Sequence, residues 1–320
     1  MKFKRTFHVF IDNFSTTYKL LLYKLIVSVL FSCIIIGLVY PIISKVTNSA
    51  VFTDLLAGIS DFFSKLVNGE AYELGNITEQ IKEDLQDIVK LIQGQQTRII
   101  VSIVILVIVY LIQKFLQGIG HYTAACLVND KMALHANSPF IMSMIKNLGK
   151  ASIYNLVYVP LSVLYELLST FLVGWLLLYC FTFLPLLLRI YLTVVCILLL
   201  TIIKMTFTTD WLPAMICGKK GNLGAMRATF VRKGKDNKSV LSNYIIFVLI
   251  IMALNVGAVL LTLGAGLLIT VPASYIILIC FQFVNYCDDN EILYFADKNT
   301  IVKPDKVKQV SREDFFRGEN

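Results

Sequence analysis

Two charged side chains stand where charge is expensive. Within the apolar runs of this 320-residue sequence, Glu166 is the one acid, and Lys204 is the one base well inside a run. A lone charge in hydrocarbon must face the protein interior, a water-filled cavity or a partner of opposite sign. Helical rise puts the two at levels roughly one and a half turns apart, within side-chain reach if their helices touch. The first reading is a structural ion pair between neighbouring spans. The others are a proton- or substrate-coupling site, and a Lys204 that extends its stem to bring the ammonium to the surface.

Asn155, Ser162, Tyr165, Ser169, Asn243, Asn255, Gln282 and Asn285 add polar groups to the same runs. In lipid such groups hydrogen-bond between helices, and convergence on one cavity would make a polar pathway. A second charged feature is basic: Lys219, Lys220, Arg227, Arg232, Lys233, Lys235 and Lys238 crowd one connection. The plain reading is an orientation signal. The functional reading, made for Lys219, Lys220, Arg227, Arg232, Lys233 and Lys235, is contact with anionic lipid headgroups, each base contributing about 1 kcal/mol near the surface. Nucleic acid is not the expected partner, because no aromatic-interleaved module accompanies the bases.

No other familiar chemistry is written in the chain. His8, His121 and His135 are scattered, and Cys33, Cys126, Cys180, Cys196, Cys217, Cys280 and Cys287 form no CxxC or Cys/His spacing of a metal site. None of the cysteines lies in the long outside loop, so no disulfide framework is expected. There is no phosphate loop, HExxH or GxSxG. We therefore expect no catalytic residues, no cofactor and no metal.

The elements that must position these residues follow from composition. Hydrophobic residues make up 57% of the chain, charged residues 16%, and mean hydropathy is +0.73. A soluble domain carries about 25% charged residues. Apolar runs of about 20 residues match a hydrocarbon layer ~30 Å thick, and lipid forces them to be helices. The expected fold is an all-α polytopic membrane bundle of six spans: 20–43, 99–116, 153–181, 186–207, 241–263 and 267–284. Together they make a membrane domain over 20–287, preceded by an amphipathic segment, 1–19, and followed by a polar tail, 288–320. Gly264, Gly266 and Pro185 mark turns, and Pro160 a break or tilt in the long third span. With the N-terminus inside, 23 of the 29 Lys and Arg fall on the inner side. That bias predicts both termini in the cytoplasm of a cell-membrane protein, with no cleaved signal peptide.

The largest outside segment is the loop 44–97. Val51, Leu55, Leu56, Ile59, Phe62, Phe63 and Leu66 fall on one helical face, and Ile77, Ile81, Leu85, Ile88 and Ile92 on a second, opened by a capping pair of Asn76 and Glu79. Both the loop and the tail are candidate surfaces for a protein partner; the tail is expected to be a short, partly disordered extension. An internal repeat is also legible. Phe140, Asn147 and Tyr154 have the spacing of Phe230, Asn237 and Tyr244, and Ala124 and Ala214 precede each Phe by the same interval. Phe3, Phe7, Phe10, Phe14 and Tyr18 make a third Phe-rich stretch. Three units are expected, each an interfacial helix followed by two spans.

Trp211-Leu-Pro-Ala, then Gly224-Ala-Met-Arg-Ala-Thr-Phe, a polar turn and a span resemble a motif of uncharacterised bacterial membrane proteins. The pattern is similar also to the membrane region that precedes the catalytic barrel of bacterial glycerophosphodiester phosphodiesterases. The resemblance covers about Asp210 to Tyr286, and the barrel and its His-Arg pair are absent here. It implies a bacterial plasma-membrane module without the enzyme. The expected function is thus a non-enzymatic membrane module, a scaffold or lipid-associated accessory. The alternative is a permease, or the membrane subunit of a transporter or exporter that uses a separate ATPase.

Overall fold

A computed structural model of the chain describes residues 2–68, 79, 82–87, 96–230, 235–303 and 308–311. The helices are α1 (Lys2–Asp12), α2 (Phe14–Thr47), α3 (Ala50–Asn68), α4 (Gln96–Leu134), α5 (Phe140–Trp175), α6 (Leu186–Thr208), α7 (Trp211–Ile216), α8 (Asn222–Phe230), α9 (Lys235–Thr262) and α10 (Leu267–Asp289). Among the described residues six helices, α2, α4, α5, α6, α9 and α10, are long and apolar enough to cross a membrane. Helix is what hydrocarbon demands, since each N–H must find its carbonyl inside the segment. Hydroxyls obey the same constraint. In α6, Thr193, Thr201 and Thr206 each donate to the carbonyl four residues earlier, at 2.8–2.9 Å.

Two compact units divide the chain: Ile26–Lys114, and Met1–Leu25 with Phe115–Asn320. The first contains α3, where Leu55 and Gly58 are buried, Val51 and Ile59 half-buried, and Leu56 is 52% exposed. Leu56 lies one residue round the helix from Leu55, and the side chains of Phe62, Phe63 and Leu66 lie outside the described residues. Residues 82–87 are helical. The expected cap at Asn76 and the positions Ile77, Ile81, Ile88 and Ile92 lie outside the described residues.

In the second unit, burial is lopsided. Along α5, Ala151, Tyr154, Asn155 and Val159 are buried, whereas Leu161, Leu164, Leu167, Leu168 and Phe171 are exposed. Along α10, Leu268, Ile269 and Val271 are exposed, and burial becomes dense from Ile276 to Cys287. One core joins Tyr122, Tyr154, Trp211, Leu212, Ile279 and Phe283 with residues from α1, α2 and the C-terminal segment. Apolar surface left open in this way along a membrane-length helix suits contact with acyl chains.

Several elements depart from the sequence expectations. Pro160 does not break α5, which is continuous over its 36 residues; a single missing N–H is tolerated where the rest of the ladder is intact. The irregularity comes later, in one π turn at Leu176–Cys180, before Pro185 caps α6. The spacing Phe140–Asn147–Tyr154 lies within this one continuous helix, so no separate interfacial helix precedes the span there. At Gly264, φ of +92° makes the turn between α9 and α10, a conformation that disfavours any Cβ.

The Phe face of α1 is covered by protein. Phe3 and Phe7 pack on Phe247 of α9 with ring centroids 4.9 and 6.4 Å away, and Phe247 meets Phe281 of α10 at 4.9 Å. Charge fastens the same helix to the end of α10. Lys2 Nζ lies 2.7 Å from Asp289 Oδ1 and donates to Asn285 Oδ1 at 2.8 Å. Arg5 Nη1 lies 2.9 Å from Asp288 Oδ1.

The tail is not simply an extension. Strands β1 (Tyr294–Asp297), β2 (Thr300–Lys303) and β3 (Lys308–Ser311) form an antiparallel sheet in that order, adding a small β element to a helical protein. Tyr294, Ala296, Ile301 and Val302 are buried, and β1 packs on α1. Tyr294 donates to Asp288 Oδ1 at 3.1 Å, and burial pushes its phenol pKa up. His8 Nδ1 lies 3.1 Å from Asp297 Oδ2. Burial opposes the Asp297 charge, but hydrogen bonds from the Asn299 N–H, His8 and Thr300 hold the carboxyl below its ordinary pKa. Four-residue strands are too short for alternation to reveal them. Pro304, Phe315 and Phe316 lie outside the described residues.

Helices α4 and α5 approach closely at Gly118, where a Cβ would stand 2.0 Å from Asn155 Oδ1. Asn155 is fully buried and donates to Ala151 O at 2.8 Å. Gly118→Ala should therefore lower stability by about 1–3 kcal/mol, and by clearly less in an Asn155→Ala background. Denaturation of the detergent-purified variants, as a double-mutant cycle, measures both; additive losses would show that the two positions do not clash.

Candidate functional site

Two groups of side chains could do more than pack. The first joins α5 and α6. Ser162 and Glu166 are four residues apart, as are Leu200 and Lys204, so each pair shares one face of its helix. Lys204 Nζ lies 2.9 Å from Glu166 Oε1 and donates to Ser162 Oγ at 2.6 Å, and Ser162 Oγ lies 3.2 Å from the same carboxylate oxygen. Tyr165 donates to Leu200 O at 2.7 Å. The structure thus brings Glu166 and Lys204 together, with a serine between them.

A cavity of about 740 Å³ belongs to the second group, and one of about 540 Å³ to the first. The smaller holds Glu166 and Lys204 at one end and carries Ser169, Thr170, Thr193 and Thr201 along walls otherwise made by Val173, Leu177, Ile197 and Leu200. An ion pair with a hydroxyl bridge is neutral as a whole. It lowers the penalty of two charges in lipid.

The other polar residues of the spans do not gather with this pair. Asn155 is buried against Gly118. Asn255 donates to Ile251 O and accepts from Thr270 Oγ1 at 2.6 Å. Asn285 accepts from Lys2. Neither cavity is lined by Asn155 or Asn255. Among the described residues no three His, Cys, Asp or Glu side chains could hold a metal ion. His135 lies 3.6 Å from Asp12, whereas His8 pairs with Asp297.

The larger cavity redistributes the basic cluster. Lys219 and Lys220 line it, together with Lys146 and Lys150 of α5. Lys219 adopts a φ of +49°, and Lys220 N–H donates to Ala214 O at 3.1 Å, so the turn after α7 closes the helix and presents both lysines. Asn222 fixes the turn against α5: it accepts from Trp211 Nε1 at 2.8 Å and donates to Ile153 O at 2.7 Å. Arg227 is exposed and lines neither cavity. Arg232 and Lys233 lie outside the described residues, and Lys235 begins α9. The sequence reading missed Lys146 and Lys150. Their spacing of four with Ser143 and Asn147 alongside was a helical-face signal, but nothing local linked that face to a turn about 70 residues later.

Comparison with protein-family models, with curated proteins and with solved structures gave no match. The likeness of about Asp210 to Tyr286 to the membrane region of phosphodiesterases therefore rests on the sequence pattern alone. In the structure Trp211, Leu212, Pro213 and Ala214 are buried in the core as α7.

Removing one member of a charge pair inside lipid leaves the other uncompensated. Lys204→Met should destabilise the protein by about 3 kcal/mol, and adding Glu166→Gln should restore most of that loss. Thermal unfolding of the two variants in detergent and in lipid nanodiscs checks this. Equal stability of Lys204→Met and the native chain would show that the pair does not form in the bilayer.

Proposed function

We propose that the chain is a multi-pass cell-membrane protein with both termini in the cytoplasm, and that it acts as a non-enzymatic, lipid-associated module rather than as a conduit. One observation carries this reading: Glu166, Asn155 and Asn255, the polar residues that a through-path would share, are dispersed. Glu166 is engaged with Lys204, Asn155 is packed against Gly118, and Asn255 is bonded to Thr270. The direct contact of Lys2 and Arg5 with Asp289 and Asp288 supports termini on one side. The excess of Lys and Arg in the flanking connections supports the cytoplasmic side. A likeness between the second and third units is supported by the matching burial of Ala124 with Ala214 and of Tyr154 with Tyr244. The permease alternative draws on the smaller cavity, where Glu166 and Lys204 face Thr193 and Thr201.

Two measurements test the proposal. Proteoliposomes loaded with a pH-sensitive dye should be no more permeable to protons than protein-free vesicles, and Glu166→Gln should leave that unchanged. A Glu166-dependent flux would replace the module with a permease. In a cysteine-free background, Arg227→Cys should resist a membrane-impermeant maleimide in intact cells while Thr53→Cys reacts. The opposite labelling would invert the orientation.

A further inference from the structure

The larger cavity has the chemistry of an anion site with an apolar lip. Lys146, Lys150, Lys219 and Lys220 line it from two segments far apart in sequence. None of the four makes an ion pair or a side-chain hydrogen bond among the described residues. One carboxylate, Asp130, shares the lining and accepts a hydrogen bond from Ser138 at 2.8 Å. The balance remains strongly cationic.

Three further features point to a ligand. Ser143 lines the cavity, is 5% exposed, and its Oγ has no hydrogen-bond partner. A buried hydroxyl left without a partner is uncommon, and a ligand oxygen would satisfy it. Ser138, Pro139 and Met142 place the start of α5 on the same cavity, and that helix has no side-chain cap. Its first N–H groups and the positive end of its dipole suit a phosphate. Finally, Met142 and Ile153 line the cavity while remaining 68% and 60% exposed, next to Ile145 at 67%. A soluble phosphate ester has no use for an apolar margin; an amphiphile does.

We propose that this cavity binds the phosphate of an anionic phospholipid headgroup, with Lys146, Lys150, Lys219 and Lys220 neutralising the charge. Ser143 and the start of α5 donate hydrogen bonds, and Met142 and Ile153 meet the glycerol and upper acyl chain. This deepens the lipid-associated reading by naming the ligand and its residues. It predicts a defined site where the sequence suggested a diffuse basic patch.

The test is native mass spectrometry of the full chain in detergent, titrated with phosphatidylglycerol, with phosphatidylcholine or with inorganic phosphate. The native chain should retain phosphatidylglycerol at least about tenfold more tightly than phosphatidylcholine. The variant with Gln at 146, 150, 219 and 220 should lose that preference. Ser143→Ala should weaken phosphatidylglycerol binding several-fold, and Arg227→Gln with Lys238→Gln should not. All four lysines are exposed, so the quadruple variant should unfold at the native temperature. If it does not, the paired variants Lys146→Gln/Lys150→Gln and Lys219→Gln/Lys220→Gln replace it. Undiminished phosphatidylglycerol preference in the lysine variants overturns the site. Lysine-dependent binding of inorganic phosphate with no preference between the two lipids overturns the lipid and leaves a soluble anion. The readout is independent of proton flux, so a permease could keep the headgroup site, and a module could lack it.

Discussion

Hydrocarbon offers no hydrogen bonds, and that constraint organises the whole protein. Each spanning helix must satisfy its own backbone and present apolar side chains outward, so little remains to hold the helices to one another by exclusion of water. Specific packing is instead concentrated where α1, α7, α8 and the small sheet gather on the ends of α5 and α10. There the core looks like that of a soluble domain, with Tyr122, Tyr154, Trp211 and Phe283 fully or nearly enclosed. The contact of Arg5 with Asp288, both deeply buried, belongs to this region, and removing one partner would strand a charge.

Charge is used differently at the two levels of the molecule. In the apolar stretch of α5 and α6, Glu166 and Lys204 cancel each other through a short contact bridged by Ser162. At the packed end, four lysines converge without cancelling, and the hydroxyl of Ser143 beside them is likewise unmatched. The first arrangement is complete as it stands. The second is complementary to something outside the chain, which is why the proposed ligand site lies there and not at the pair.

Much of this was readable in the sequence, for reasons that also explain the failures. Six membrane-length helices follow from long apolar runs, a signal carried by about twenty residues in each case. Glu166 and Lys204 could be singled out because charge is so rare in such runs. The Phe-rich face of residues 3–18 was recognisable as amphipathic, but not its partner: Phe247 and Phe281 are remote in sequence, and a helix dressed for a lipid surface looks the same as one dressed for a protein surface. The strands at Tyr294–Ser311 escaped notice because each is only four residues long. Lys146 and Lys150 count in the sequence only toward the inner-side excess of bases, because linear reading cannot show that the turn at Lys219 folds back beside them.

Helix α5 contains 36 residues, which at 1.5 Å each comes to about 54 Å, well beyond the ~30 Å thickness of an acyl layer. About four turns must therefore stand clear of it as a stalk. Pro160 lies just beyond that stalk, between Lys146 and Lys150 on one side and the limb bearing Glu166 on the other. Lacking an N–H, Pro160 leaves the turn before it with one rung missing from the ladder. Flexure of the rod is cheapest at that joint, so a load on the stalk bends α5 at Pro160 before it disturbs the limb below.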